Sequence, residues 1–254
     1  MIQNRKYSRF KWSHDLWLHR VMVRIYNFLM TIVPFGIKYG IGKNLRKNKP
    51  PYFLIQSGSV VIQVGAPKDT LNAGRSRGMH FILFSKKTGT TIIVEPDQES
   101  ISAYQRKCQR LGIDNAIFIP SAAWFETGTL RIYINDAHPA SNFVEGTKIY
   151  NERRLQDFQV VEIPATSIDY MLEQNEITRV DLVSITTNGS EREILAGMKK
   201  TIAAGIPYIS LARTGEGYQV MMDSIGYVFY AHDDRGFTFR QEKILSKQSL
   251  DKIL

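Results

Sequence analysis

Two short stretches carry residue types that could do chemistry. In the first, the apolar run Val60-Val61-Ile62 leads to Gln63, Val64, Gly65 and Ala66. A second β-branched run, Thr90 to Val94, ends in Glu95, Pro96 and Asp97. Strand, glycine turn, helix-length segment, strand and acidic end make the first half of a nucleotide-binding α/β unit. A glycine after the first strand lets backbone approach a ligand, and an acid at the end of the second can accept hydrogen bonds from a ribose diol. The gap from Gly65 to Glu95 exceeds the ~20 residues of a dinucleotide fold, and the Gly-x-Gly-x-x-Gly pattern is absent, which argues against a nicotinamide dehydrogenase. The plain alternative is a tight turn at Gly65 and an exposed strand-end charge at Glu95.

The second stretch is Val180 to Glu191, VDLVSITTNGSE. It reads as a buried strand, a polar turn with Gly189 and a helix opening at Ser190, where Ser190 and Glu193 fit a capping box. Thr186 and Asn188 are the polar side chains of the turn, and Glu191 lies at the helix start. The alternative for Glu191 is a first-turn charge favoured by the helix dipole.

Further elements must position these groups. Asp97 is a suitable N-cap for a helix whose Ile101, Tyr104, Cys108 and Leu111 share a face, ended by Gly112. Cys108 is expected in the core. A third strand, Ala116 to Ile119, runs into Ser121 and Ala122. Residues 129–134 alternate as a half-exposed strand, and residues 135–158 form a loop long enough to be a lid. Gln159–Ile163 reads as a strand, and Thr166 with Asp169 as a helix start. Ile194, Leu195, Met198 and Ile202 suit the buried face of one helix. After Tyr208–Leu211 come a helix around 218–224 and two hairpin-like strands, 226–231 and 236–240, the last antiparallel.

The 254 residues suffice for one α/β core with an appendage. The single Cys excludes a disulfide framework and Cys-based zinc, and the five scattered His residues show no metal spacing. The charge of +9 is concentrated: residues 1–50 hold eleven Lys or Arg against one acid, Asp15. Between Asp15 and Val33 the polar residues fall on one narrow helical face, and the remainder is bulky and apolar. Such a helix, with basic flanks, suits the interface of a membrane. Its two arginines make it a poor spanning helix, and its broken apolar run and lack of a cleavage site make it a poor signal peptide. The alternative is a helix packed on the domain or on a second copy of the chain, giving a homo-oligomer. The aromatics do not interleave with the basic residues as a stacking platform would, which argues against a nucleic acid partner. Residues 34–57 read as a connector. The expected division is a basic arm over 1–51 and an α/β domain over 52–254, in the cytoplasm or peripheral on the inner face of the membrane.

The order VVIQVGA, TIIVEPD, AIFIPSAAWFETGTLRIYI, IPATSIDYMLEQNEITRVDLVSITTNGSEREILAGM and a final GY-led strand resembles the FkbM family of S-adenosylmethionine-dependent methyltransferases, over about 60–230. The resemblance implies a class I methyltransferase α/β fold: a Rossmann-like sheet of seven strands with the last antiparallel, here beside an N-terminal amphipathic helix. It implies S-adenosyl-L-methionine as cofactor and O-methylation of a sugar or small-molecule hydroxyl. It places Gln63, Gly65 and Ala66 at the turn near the methionine end, Glu95 at the ribose with Pro96 and Asp97 beside it, and Ser121 and Ala122 near the adenine. Thr186, Asn188 and Glu191 are the catalytic candidates of the later motif.

The departures from the family's pattern have physical consequences. Gln63 and Thr186 stand for Asp, Pro67 for Asn, Asp69 for Gly, Ser184 for Lys and Asn188 for Glu. Pro67 removes an N–H donor, and Asp69 brings a carboxylate toward that of the cofactor. Thr186 and Asn188 are not general bases near neutral pH. Either a divergent methyltransferase remains, with Lys68, Asp69 or the 135–158 loop supplying contacts, or a methyltransferase-like domain serves in binding or scaffolding.

Overall fold

The computed structural model describes residues 25, 32–85, 88–135, 141–147, 155, 156, 158–212, 216–233 and 236–254. The amphipathic helix expected at 15–33 lies, apart from isolated positions, outside them.

The main sheet is built from β1 (Val60–Val64), β2 (Thr90–Val94), β3 (Ala116–Ile119), β8 (Leu182–Ile185), β9 (Tyr208–Leu211), β10 (Tyr227–His232) and β11 (Phe237–Gln241). Its order is β10-β11-β9-β8-β1-β2-β3. β1, β2, β3, β8 and β9 are parallel neighbours, and β11 runs antiparallel to both β9 and β10. This is the expected α/β sheet of seven strands with its last strand reversed. β1 has β2 on one side and β8 on the other, so the topological switch point, where such sheets bind ligands, lies between β1 and β8.

Helices cover both faces, which is why the strands read as continuous β-branched runs. On one face Ile62, Val64, Ile92, Val183, Ile185 and Ile209 pack under α5 (Ile168–Gln174), α6 (Glu191–Ala196), α7 (Lys199–Ala204), α8 (Glu216–Ser224) and α9 (Lys247–Ile253). On the other, Ile93 packs with Met79 and Ile82 of α3 (Arg77–Ser85), Leu71 of α2 (Lys68–Asn72), and Ile101, Tyr104 and Cys108 of α4 (Gln98–Arg110). Asp97 caps α4 as expected, accepting from the N–H groups of Glu99 and Ser100. Burial pushes the Cys108 thiol up to about 11, as befits a core residue.

That second face also carries a polar row. Gln63, Ser184, Ser210 and Thr238 are neighbours across β1, β8, β9 and β11, and all are buried. Arg77, at the start of α3, lies over them. Its guanidinium donates to Ser210 Oγ (3.0 Å) and Ser184 Oγ (3.4 Å) and pairs with Asp233 at the end of β10.

Between β3 and β8 the chain leaves the main sheet to make a second one, ordered β4-β7-β5-β6, from β4 (Ala122–Ala123), β5 (Gly128–Ile134), β6 (Phe143–Val144) and β7 (Gln159–Thr166). β5 and β7 pair antiparallel along their whole length.

Several expectations are corrected. The 34–57 stretch is not a bare connector: it holds α1 (Phe35–Arg46) and a short turn of helix at Tyr52–Leu54. The burial of Tyr39 and Gly42 against α3 outweighs the glycine content that suggested a linker. β7 runs on through Thr166, so the cap of α5 is Ser167, which accepts from the Tyr170 N–H. Asp169 instead accepts from the N–H groups of Lys200 (2.8 Å) and Thr201 (2.9 Å) and caps α7. The Ser190–Glu193 capping box does not form, since Ser190 has helical-side dihedrals and makes no cap bond. The single helix expected through Ile202 is broken after Ala196. A Cβ on Gly197 would lie 1.9 Å from the Trp124 carbonyl, so the chain there follows its neighbour's backbone. Leu111 falls past the end of α4 and is exposed.

Candidate functional site

At the carboxyl end of β1 the chain must turn sharply. Gly65 does so at φ +81°, where a Cβ would sit 2.7 Å from the Thr186 carbonyl. Only glycine fits both the dihedral and the space. Thr186 follows β8 and donates its hydroxyl to the Gly65 carbonyl (2.9 Å). Gln63 Nε2 donates to Thr186 Oγ1 (2.7 Å) and to the Gly65 carbonyl (2.8 Å). These bonds fasten β1 to β8 across the switch point. Gln63 Oε1 is buried and has no hydrogen-bond partner among the described residues.

Glu95, one residue past β2, is 6% exposed. Its Oε2 accepts from the Ala66 N–H (2.6 Å) and its Oε1 from the Asp97 N–H (3.1 Å). Burial pushes its pKa up to about 7. The two N–H groups act against that, while the charges of Asp97 and Asp69 add to it. Each oxygen keeps lone-pair capacity for a further donor.

A cleft of about 90 Å³ opens at this end of the sheet. Gly65, Pro67, Glu95 and Pro96 form one wall, Thr186, Thr187, Asn188 and Ser190 another, and Ala122, Ala123, Ile132, Asn142, Phe143 and Val144 the rim. Of the residues expected at a cofactor, Gly65, Glu95, Pro96 and Ala122 line the cleft. Gln63, Ala66, Asp97 and Ser121 adjoin lining residues in the chain but do not line it, and Ser121 donates its hydroxyl to the Pro164 carbonyl (3.0 Å). Of the catalytic candidates, Thr186 and Asn188 line it. Glu191 does not: it is fully buried and accepts from Tyr218 OH (3.0 Å), Thr187 Oγ1 (3.3 Å) and the Gly189 N–H (3.3 Å).

The 135–158 stretch does reach the site. Asn142, Phe143 and Val144 come from it, and Asn188 Nδ2 donates to the Asn142 carbonyl (2.8 Å), tying rim to wall. Phe143 stacks on Tyr133 at 4.8 Å between ring centroids. Lys68 turns away to pair with Glu99, and Asp69 turns onto the Thr70 N–H (2.7 Å). The sequence signal for Asn142 and Phe143 is weak, because their place depends on β5–β6 pairing. Among the described residues no group of His, Cys, Asp and Glu could hold a metal ion.

A family model described as the methyltransferase FkbM domain matches residues 63–239. The chain belongs to the FkbM methyltransferase domain family. The match begins at Gln63 and takes in the cleft and its rim. Among solved structures, an FkbM methyltransferase from Methylobacillus flagellatus KT is similar at 14% identity and a TM-score of 0.45, covering 72% of this chain. The chain covers 43% of that protein's own length. A SAM-dependent methyltransferase from Aquifex aeolicus is similar at 12% identity and a TM-score of 0.41, with 85% of this chain and 94% of that one covered. Aeropyrum pernix fibrillarin, solved with S-adenosyl-L-methionine, is similar at 11% identity and a TM-score of 0.41, with 80% and 74% covered. No curated protein matches the chain.

Proposed function

We propose that this FkbM-domain chain is an S-adenosyl-L-methionine-dependent methyltransferase acting on a hydroxyl of a sugar or another small molecule. The observation that carries this reading is Glu95, a buried carboxylate at the carboxyl end of β2, held in the cleft wall by two backbone N–H groups. The residues fit the cofactor. Glu95 accepts from the ribose hydroxyls, the Gly65–Ala66 turn allows close approach of backbone, and the orphaned Gln63 Oε1 is an acceptor suited to an ammonium group. Ala122, with Ser121 behind it, lies on the adenine side.

Bound there, the cofactor supplies an electrophilic methyl group on a sulfonium. The chain's own part is alignment. Thr186 and Asn188 present neutral hydrogen-bonding groups to the acceptor and hold its oxygen in line, which can supply most of the needed acceleration. Neither takes a proton near neutral pH, so the acceptor hydroxyl's proton passes to solvent as the methyl is transferred and the thioether product is left, and Glu191, behind the wall with three donors, steadies the turn that carries Asn188. Phe143 and Ile132 keep water from the rim side.

A second reading has its own observation. The cleft is smaller than the ~300 Å³ at which ligand sites begin, and the Gln63–Thr186 bond fastens its floor. A closed site of this kind fits a binding or scaffolding domain. Calorimetry with S-adenosylmethionine and S-adenosylhomocysteine separates the two. Micromolar binding by wild type that is lost in Glu95→Ala supports the methyltransferase. No binding by folded wild type overturns it.

A further inference from the structure

α1 shows two unlike faces. Tyr39 and Gly42 are buried: Tyr39 OH donates to the Leu71 carbonyl (2.9 Å), and a Cβ on Gly42 would meet the His80 ring at 2.5 Å. The opposite face carries Ile37, Ile41 and Leu45, at i, i+4 and i+8, which are 55%, 57% and 64% exposed. Gly36 and Gly40 share this face, and a Cβ on either would meet no described atom within 4 Å. A helix that buried nothing there would be expected to show polar residues.

The charges around this stripe have one sign. α1 contains no acid; Lys38 and Lys43 on its flanks donate to the Asn72 and Leu83 carbonyls, and Arg46 to that of Gly42. Lys47 and Lys49 follow and are exposed, and Lys107 of α4 lies over the Phe35 ring at 4.8 Å. Burial and then the neighbouring Lys107 hold Lys38 below the ordinary lysine range, so like charges gather at this end. The chain entering α1 adds six more basic residues before Phe35. An apolar stripe bordered by cations is complementary to an anionic lipid surface, where side chains enter the acyl boundary while lysines meet the headgroups. A second copy of this face would bring the same cations together, which disfavours self-association. Among the described residues no helix is long and apolar enough to cross a membrane.

We infer that α1 is a lipid-docking helix that lays Ile37, Ile41 and Leu45 onto an anionic membrane surface. Its first two turns lie beside the end of α2, where Lys38 and Tyr39 donate to the Asn72 and Leu71 carbonyls.

The test uses the full chain and sedimentation with vesicles of phosphatidylcholine, alone or mixed with phosphatidylglycerol. Wild type should pellet with the mixed vesicles, less so at high salt, and poorly with phosphatidylcholine alone. Ile37→Ser/Ile41→Ser/Leu45→Ser, all at exposed positions, should weaken that partition about tenfold. A polarity-sensitive fluorophore on Ile41→Cys should shift to the blue on mixed vesicles, and the same label on the exposed Val220→Cys should not. Failure of wild type to pellet overturns the inference. So does undiminished pelleting of the triple variant, which would assign binding to the preceding segment alone. Self-association that the triple variant abolishes, without vesicle binding, assigns the stripe to a second copy and overturns it as well.

Discussion

Glu95 sits where a carboxylate is both useful to a ligand and costly to the fold. Its pKa is raised from 4.5 to about 7, so the folded chain keeps a proton that the unfolded chain has already released in this window. Its contribution to stability is therefore full below about pH 4.5 and is lost as pH rises through about 7, a change of up to about 3 kcal/mol. On the proposed reading binding runs the other way, since ribose hydroxyls would donate to the ionised carboxylate. Across about pH 6 to 8, urea unfolding should show falling stability while calorimetry shows tightening cofactor binding. Glu95→Gln should flatten both slopes. This residue was legible in the sequence because it is an acid at the end of a β-branched run. Its bonds to Ala66 and Asp97 were not, since they depend on how the turn after β1 approaches the end of β2.

At the scale of elements, two glycines mean different things. Gly65 is required: Gly65→Ala adds the cost of a left-handed dihedral to a collision with the Thr186 carbonyl. It should cost at least about 2 kcal/mol in denaturant unfolding and abolish cofactor binding. Gly40 lies inside α1 with open space before it, so Gly40→Ala should stabilise by up to about 1 kcal/mol, seen as a rise in Tm. Glycine content made residues 34–57 read as a connector, because what holds α1 to the domain, Phe35, Tyr39, Gly42 and its lysine contacts among them, depends on tertiary neighbours. The strand ends and the Asp97 cap were legible, since each is set by its own few residues. The caps at Ser167 and Asp169 were not: the running on of β7 from Ile163 to Thr166 moved the first, and α7 took the second through a contact across 31 positions of chain.

At the scale of the molecule, the polar row under Arg77 ties α3, β8, β9 and the β10–β11 turn into one network. Arg77 and Asp233 are 156 positions apart and almost wholly buried. Arg77→Met would take the guanidinium away from the buried Asp233 carboxylate, and should cost about 3 to 5 kcal/mol. Arg77→Met/Asp233→Asn should recover most of that, because the Asn carbonyl can still accept from the Gly236 N–H that Asp233 holds now (3.0 Å). Urea unfolding of both variants checks this. Positions 63 and 184, where the chain departs from the acid and the lysine of the pattern it resembles, are lateral neighbours on β1 and β8, and both are neutral here. Arg77 itself gave no signal: an arginine near a helix start usually points to solvent, and only the tertiary fold shows what lies beneath it.

The rim sheet has a consequence of a different order. It leaves the main sheet after β3 and rejoins the domain at α5, and its longest ladder, β5 with β7, satisfies its own backbone. Ile132, Asn142, Phe143 and Val144 are its contributions to the cleft, whereas Gly65 and Glu95 belong to the main sheet. On the proposed reading, much of the rim that faces the acceptor belongs to this excursion, whereas the Gly65 turn and Glu95 belong to the parallel strands. A change in the excursion can then alter what the cleft admits while the parallel strands beneath stay the same.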